Sequence, residues 1–529
     1  MRERTLLAVL IFSTLACTAH ADSTSCASLK QLSLPHATVD VAQTVVAGAF
    51  VPPNLKPEEK VPPVFESTPA FCRVTATVKP TPDSDIKVEV WLPEAGWNGK
   101  LRGVGNGGFA GSIGYQGLAG AITLGYAGTS TDTGHSTTDA TWALGHPEKI
   151  VDYGYRAIHE MTVDAKAIVQ KFYGKAPTRS YFASCSNGGR QALMEAQRFP
   201  ADYDGIIAGA PANNWVPMLT AGIKVIQTLH GEGYIPATKI PAISKAVLAA
   251  CDELDGVKDG VLNDPRQCHF DPPTLLCTGK ETDACLTAAQ VSSLKLLHSG
   301  AHDLSGAQIF PGALPGAEDG DGGWKDWITG SEEGKSAVNF FVTGYFSNMV
   351  YSQKDWDFAH VNLDDARKLA SEKTGDAMNA VNPDLRPFLN HGKLILYHGW
   401  DDPAISALNS VNYYNSVVST VGPSTAESLR LYMVPGMQHC VGGPGATSFG
   451  QFGAPPKGDA NHDIFTALVE WEENGKAPGS IIANRPVGQN ATSAPSMTRP
   501  ICPYPQAPKY KGTGDTNAAE SFECAVSTN

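Results

Sequence analysis

Three short runs of this sequence carry side chains able to do covalent chemistry. Ser184-Cys185-Ser186-Asn187-Gly188-Gly189 offers a hydroxyl, His398-Gly399-Trp400-Asp401-Asp402 a carboxylate, and Pro435-Gly436-Met437-Gln438-His439-Cys440 an imidazole. A serine hydroxyl attacks an acyl carbon at neutral pH only with a base in hydrogen-bond reach, and the base needs a partner that fixes its tautomer. Ser186 as nucleophile, His439 as base and Asp402 as orienting acid meet both needs. Asp401 competes for the acidic role, and Asp402 is preferred. The negative charge that develops on the attacked carbonyl needs amide donors, expected from Asn187, next after the nucleophile, and from Gly107 or Gly108 in the glycine-dense run 105–111. Cys185 precedes the hydroxyl and Cys440 follows the imidazole, so a bridge between them would hold the two loops at a fixed separation.

These residues need strands that end side by side. Residues 87–92 alternate polar and apolar, as a half-buried strand does, and 100–104 leads into the glycine-dense run. Residues 155–173 have helical spacing and stop at Gly174, with Pro177 beyond. A short strand at 180–183, the sharp turn at Ser186 and a helix at 190–198 give the context that a nucleophile elbow requires. The usual elbow is G-x-S-x-G, and Ser184 stands here in place of its first glycine. Further strands are expected at 205–210, 393–397 and 429–434, and a helix at 465–473. The alternation predicts an α/β fold with a mostly parallel central sheet, of the α/β-hydrolase type, in which the three residues arrive in the order Ser, Asp, His, each after a strand. From 215 to 386 the pattern changes to short-spaced acids, four cysteines and a glycine-rich stretch, which reads as an inserted lid domain. The expected division is a leader at 1–21, catalytic segments at 22–214 and 387–529, and the lid between them. Residues 22–65 read as an irregular arm and the tail from 486 as proline-rich.

At 529 residues the chain has room for one large catalytic domain and an insertion. Arg2 and Arg4, the apolar run 6–15 and Ala19-His20-Ala21 predict a cleaved signal peptide, hence export to the periplasm or the medium. No later stretch approaches the ~20 uninterrupted apolar residues of a membrane span. Cys17 leaves with the leader, and the even number of cysteines that remains in an exported chain suggests five disulfides. The formal charge of −13 argues against nucleic acid or anionic membrane as a partner and is compatible with a small ester substrate.

The run from Cys251 to Val261 spaces Asp252, Asp255 and Asp259 around Gly256 and Gly260. Hard oxygen ligands interleaved with backbone carbonyls suit Ca²⁺. A solvated acidic loop is the alternative, and closure by Cys251 and Cys268 brings the two readings level.

Taken together these residues resemble the tannase and feruloyl esterase family, which also contains the MHETase that cleaves mono(2-hydroxyethyl) terephthalate. The likeness spans most of the chain and is densest at 152–157, 190–200 and 203–211. The family signature of Cys-Ser, Asp and His-Cys falls on Cys185-Ser186, Asp402 and His439-Cys440. The resemblance implies a calcium ion in the lid, held by Asp252, Asp255 and Asp259 with the carbonyls of Val257 and Val261. It also implies the pairs Cys26 with Cys72, Cys185 with Cys440, Cys251 with Cys268, Cys277 with Cys285 and Cys502 with Cys524. Substrates in the family are esters of aromatic acids, so aromatic walls are expected. Trp324, Trp327 and Tyr345 are lid candidates, with Trp215, His398 and Ile405 nearer the triad. Ferulate-type esters are the first choice, and gallate esters or terephthalate monoesters follow. A catalytically inactive, calcium-dependent binder of aromatic ligands and a secreted peptidase are the competing readings. No residue read from sequence decides between ferulate, gallate and terephthalate.

Overall fold

Strands whose successive residues serve two different cores build the centre of the protein. Phe182, Ile206, Leu394 and Leu396 enter one apolar cluster, while their neighbours Tyr181, Ile207, Ile395 and Tyr397 enter another. A period of two with both faces covered is the pattern of a sheet sandwiched between helices. The computed structural model describes residues 25–53, 55–56, 58–316, 318–452, 458–485 and 495–526. The expected leader lies outside these residues.

The central sheet contains β1 (Ala37–Val45), β2 (Phe71–Val78), β3 (Ile86–Pro93), β4 (Lys100–Val104), β5 (Ala127–Thr131), β6 (Arg179–Cys185), β7 (Gly205–Gly209), β8 (Lys393–Gly399) and β9 (Leu429–Val434). Their order is β1-β2-β3-β5-β4-β6-β7-β8-β9. The pairs from β1 to β5 are antiparallel, and every pair from β5 to β9 is parallel. The parallel part therefore carries the ends of β6, β8 and β9 on one edge, where ligands bind in open α/β sheets.

Helix α1 (Ala157–Tyr173) stops at Gly174, whose φ of 72° allows the left-handed cap. It packs on one face of the sheet with α2 (Asn187–Arg198). Between β7 and β8 the chain makes a long excursion containing α3 (Trp215–Thr228), α4 (Ile240–Cys251), α5 (Ala288–Ser299), α6 (Ala337–Gly344) and α7 (Leu363–Met378). That excursion fills two further apolar clusters, one around Trp215, Tyr345 and Met378 that it shares with Phe109, Trp142 and Tyr153 of the preceding segment, and one of its own around Ile243, Leu294 and Trp324. After β8, α8 (Ala407–Val421) returns to the face of α1, and α9 (Ile464–Asn474) covers the other face.

The arm expected to be irregular contains β1, an edge strand with only Val39 of its nine residues buried, so no alternation betrays it. The tail expected to be merely proline-rich holds Met497–Ile501, paired with Ile481–Arg485, and a hairpin of Gln506–Tyr510 with Phe522–Val526. All five cysteine pairs implied by the resemblance are formed. Among the described residues no helix is long and apolar enough to cross a membrane.

Helix α2 lies so close to β7 that a Cβ on Gly189 would sit 2.3 Å from the Gly209 carbonyl oxygen and 2.9 Å from Pro211 Cα. Both obstacles are backbone, so they cannot rotate away. Gly189→Ala should therefore destabilise the protein by about 3 kcal/mol or more, read from the urea unfolding midpoint.

Candidate active site

Ser186 sits between the end of β6 and the start of α2 with φ 65° and ψ −126°. A non-glycine residue in that region is strained and persists only when its surroundings over-determine it. Its N–H donates to the Gly209 carbonyl at 3.0 Å and its carbonyl accepts from the Ala212 N–H at 3.2 Å. The turn thus projects the hydroxyl from the sheet edge. Behind it the Ser184 hydroxyl is buried without a partner, and a Cβ on Gly188 would lie 1.9 Å from that oxygen.

The three residues read from sequence converge. Ser186 Oγ lies 2.9 Å from His439 Nε2, and His439 Nδ1 lies 2.8 Å from Asp402 Oδ2. Asp402 Oδ1 accepts from the N–H groups of Ala404 at 2.8 Å and Ile405 at 3.0 Å. Its Oδ2 also meets His398 Nε2 at 3.1 Å. Burial works against the Asp402 charge, but the His439 and His398 imidazoles outweigh it and hold the carboxyl well below its usual range. The adjacent Asp401 is buried elsewhere, against Gly316 and Glu318; burial and the Glu318 charge push it well up. The Cys185–Cys440 disulfide joins the two loops, with Cα atoms 6.0 Å apart. Such a chain of hydrogen bonds can move a proton from a hydroxyl to an imidazole whose tautomer is fixed.

Beside Ser186 opens a cavity with about 1030 Å³ of empty space, its open mouth included. Of the residues singled out from sequence, Asn187, Gly108, Trp215, Trp327 and Ile405 line it, whereas Gly107, Trp324, Tyr345 and His398 do not. Trp324 is 2% exposed and is packed in the cluster of Ile243 and Leu294. The Tyr345 hydroxyl is paired with Thr374 at 2.7 Å, beneath Trp215. His398 is fully buried and supports the carboxylate: Nε2 also lies 3.0 Å from the Ile405 carbonyl and Nδ1 lies 2.7 Å from Ser410 Oγ. The Asn187 side chain is engaged at both ends, its Oδ1 accepting from Arg190 Nε at 2.9 Å and its Nδ2 donating to the Asn106 carbonyl at 3.5 Å. Trp327 stands edge-on to His439, with ring centroids 4.7 Å apart.

Sequence reading missed two supports. Arg190 is buried and donates to the carbonyls of Tyr153 and Gly154, fixing α2 to the preceding π-turn. Gln191 holds the glycine loop, its Oε1 accepting from the Asn106 N–H at 3.0 Å and its Nε2 donating to Asn106 Oδ1 at 3.1 Å. Their positions one turn into α2, on the side facing that loop, were the available signal.

The acidic loop gathers the carboxylates of Asp252, Asp255 and Asp259 on one turn. Asp255 is pushed up to about 6 by burial and by the Asp259 charge, and burial raises Asp259 as well. Buried acids that repel one another are short of positive charge, of which Arg499 supplies one unit through Asp259 Oδ2 at 2.5 Å. Backbone N–H groups of Gly260, Val257, Asn263 and Val261 pin the three carboxylates to the turn. Among the described residues, the trio of possible ligands whose donor atoms lie within 4.8 Å of one another is elsewhere: His159, Glu195 and Asp202.

A largely parallel sheet with an elbow after β6, a carboxylate after β8 and an imidazole after β9 is the α/β-hydrolase fold. The family model described as tannase and feruloyl esterase matches residues 72–525, and the chain belongs to that family. It is 40% identical to an uncharacterized esterase of Xanthomonas campestris pv. campestris, over 96% of this chain and 92% of that one. A probable feruloyl esterase B of Aspergillus clavatus is 32% identical over 95% of each chain. The crystal structure of feruloyl esterase B from Aspergillus oryzae superposes with a TM-score of 0.86 at 29% identity, covering 94% of this chain and 99% of that one. The chain is thus a feruloyl esterase-like carboxylic ester hydrolase.

Because only Asp402 touches His439, the two adjacent acids should respond differently. Asp402→Asn should lower kcat for ester hydrolysis by about 10⁴-fold, while Asp401→Asn should stay within about 10-fold of wild type. Equal losses in both would place the orienting acid wrongly.

Proposed function

We propose that the protein hydrolyses esters of phenolic acids through an acyl-enzyme on Ser186. The observation that carries this reading is the continuous run from Ser186 Oγ to His439 at 2.9 Å and from His439 to Asp402 at 2.8 Å. His439 takes the hydroxyl proton as Oγ attacks the ester carbonyl, and Asp402 stabilises the imidazolium that forms. The backbone N–H of Asn187 and one from Gly108 face the developing oxyanion. His439 returns the proton to the leaving alcohol. A water then attacks the acyl-enzyme, with His439 again as base, and releases the acid and Ser186.

Residues 215–386 act as a lid in this reading, since α3, α5 and α6 supply cavity wall opposite the triad. Asp252, Asp255 and Asp259 with the carbonyls of Val257 and Val261 hold a calcium ion that supplies positive charge to the acidic loop and takes no part in the ester chemistry. The protein is exported: its disulfides need an oxidising compartment, and the first 21 residues have the make-up of a cleaved leader.

Wild type should hydrolyse methyl ferulate, and Ser186→Ala should lose at least about 10⁴-fold in kcat, together with labelling by a serine-directed fluorophosphonate. An unlabelled wild type without esterase activity would refute the reading. Chelation with EDTA should lower Tm by several degrees, with recovery on adding Ca²⁺ and little on adding Mg²⁺; an unchanged Tm would remove calcium from the loop.

A further inference from the structure

The trio of His159, Glu195 and Asp202 has no part in the ester chemistry, yet its make-up is that of a ligand set. His159 comes from the start of α1, Glu195 from the last turn of α2 and Asp202 from the turn that leads into β7. Each offers one donor atom, and the three atoms lie within 4.8 Å of one another. His159 Nδ1 lies 2.6 Å from Asp202 Oδ2. The imidazole is stacked flat on Phe199, with ring centroids 3.8 Å apart, and the Asp202 N–H donates to the Phe199 carbonyl at 2.9 Å, so one short turn sets both ring and carboxylate. Glu195 is 1% exposed, yet neither of its oxygens receives a hydrogen bond. The polar group that faces it is the Asp202 carboxyl, another acceptor.

A carboxyl sealed in this way needs a proton or a cation beside it. The cationic side chains close by are spent: Lys166 Nζ donates to the carbonyls of Ala201 and Asp202, and Arg198 donates to Asp376. An imidazolium at His159 would balance one of the two carboxylates and leave the other. One imidazole with two carboxylates is a donor set for a first-row divalent ion such as Zn²⁺, whereas Ca²⁺ and Mg²⁺ take oxygen alone. Donor atoms around a tetrahedral Zn²⁺ stand roughly 3.3 Å apart, so an ion in place of the proton between His159 and Asp202 asks only for small side-chain rotations. The His159 side chain is 30% exposed and leaves a way in from solvent. We propose that His159, Glu195 and Asp202 bind one divalent transition ion of the Zn²⁺ kind, with water completing its shell. The ion clips α1 to α2 and to the approach to β7, about 13 Å along α2 from Ser186, and takes no part in acyl transfer.

The test uses the whole protein, stripped of metal and then held in excess Ca²⁺ so that the acidic loop is taken out of the comparison. Titrated with Zn²⁺ in a calorimeter, wild type should bind a single tight equivalent and gain several degrees in Tm. His159→Asn and Glu195→Gln should each weaken that equivalent by about 10-fold or more, and Mg²⁺ in place of Zn²⁺ should give neither heat nor a gain in Tm. Wild type that takes up no Zn²⁺ would overturn the proposal and leave a proton held between Glu195 and Asp202. A Zn²⁺ equivalent that survives either substitution would overturn it as well, by putting the ion on another histidine, and so would Mg²⁺ bound as tightly as Zn²⁺. If Glu195→Gln does not fold, His159→Asn, which alters a partly exposed ring, decides alone. None of these outcomes bears on labelling of Ser186, so the ester chemistry stands or falls separately.

Discussion

A carboxylate sealed from water stays ionised only if its oxygens are fully used, and Asp402 is such a carboxylate. Two backbone amides take one oxygen and two imidazoles take the other. That demand reaches far into the fold. It requires the turn after β8 to curl back so that Ala404 and Ile405 present their N–H groups. It requires His398, four residues earlier, to be held in one tautomer by Ser410 and the Ile405 carbonyl, and it requires β9 to end where His439 can reach over. The helix that begins at Ala407 is anchored to the same constellation through Ser410.

The hydroxyl side of the site is held by close packing more than by charge. Glycines at 188 and 189 let α2 approach Ser184 and β7 to backbone distance, and Arg190 and Gln191, next along the helix, tie its first turn to the π-turn and the glycine loop. The strained Ser186 is thereby fixed by neighbours on three sides. The cavity wall comes mainly from the insertion, whose side chains there are largely apolar. Polar precision and apolar room are thus divided between two parts of the chain.

What could be read beforehand follows the same division. Residues that obey short-range rules were legible: the strand–turn–helix around Ser186, the apolar runs of β8 and β9, the glycine stop of α1 and the three side chains that converge after β6, β8 and β9. Features that depend on tertiary context were not. β1 is an exposed edge strand and leaves no alternating trace. Trp324 reads as a wall residue because large aromatics often line ligand sites, yet the packing of α4 and α5 drew it into a core. His398 was placed near the triad for the substrate's sake, whereas the spacing to Asp402 of four residues, across a turn, serves the acid. The wall's apolar lining belongs to residues scattered over a hundred positions, and no local motif announces it.

The bridge between Cys185 and Cys440 spans 255 residues of sequence, and the whole excursion between β7 and β8 lies within the ring it closes. The excursion can loosen, breathe or admit a bulky ester without separating hydroxyl from imidazole, because the two sulfurs form a shortcut around it. The same topology sets an order of assembly. The ring cannot close until residue 440 has met residue 185, so the covalent clasp forms only after the whole excursion between them is in place.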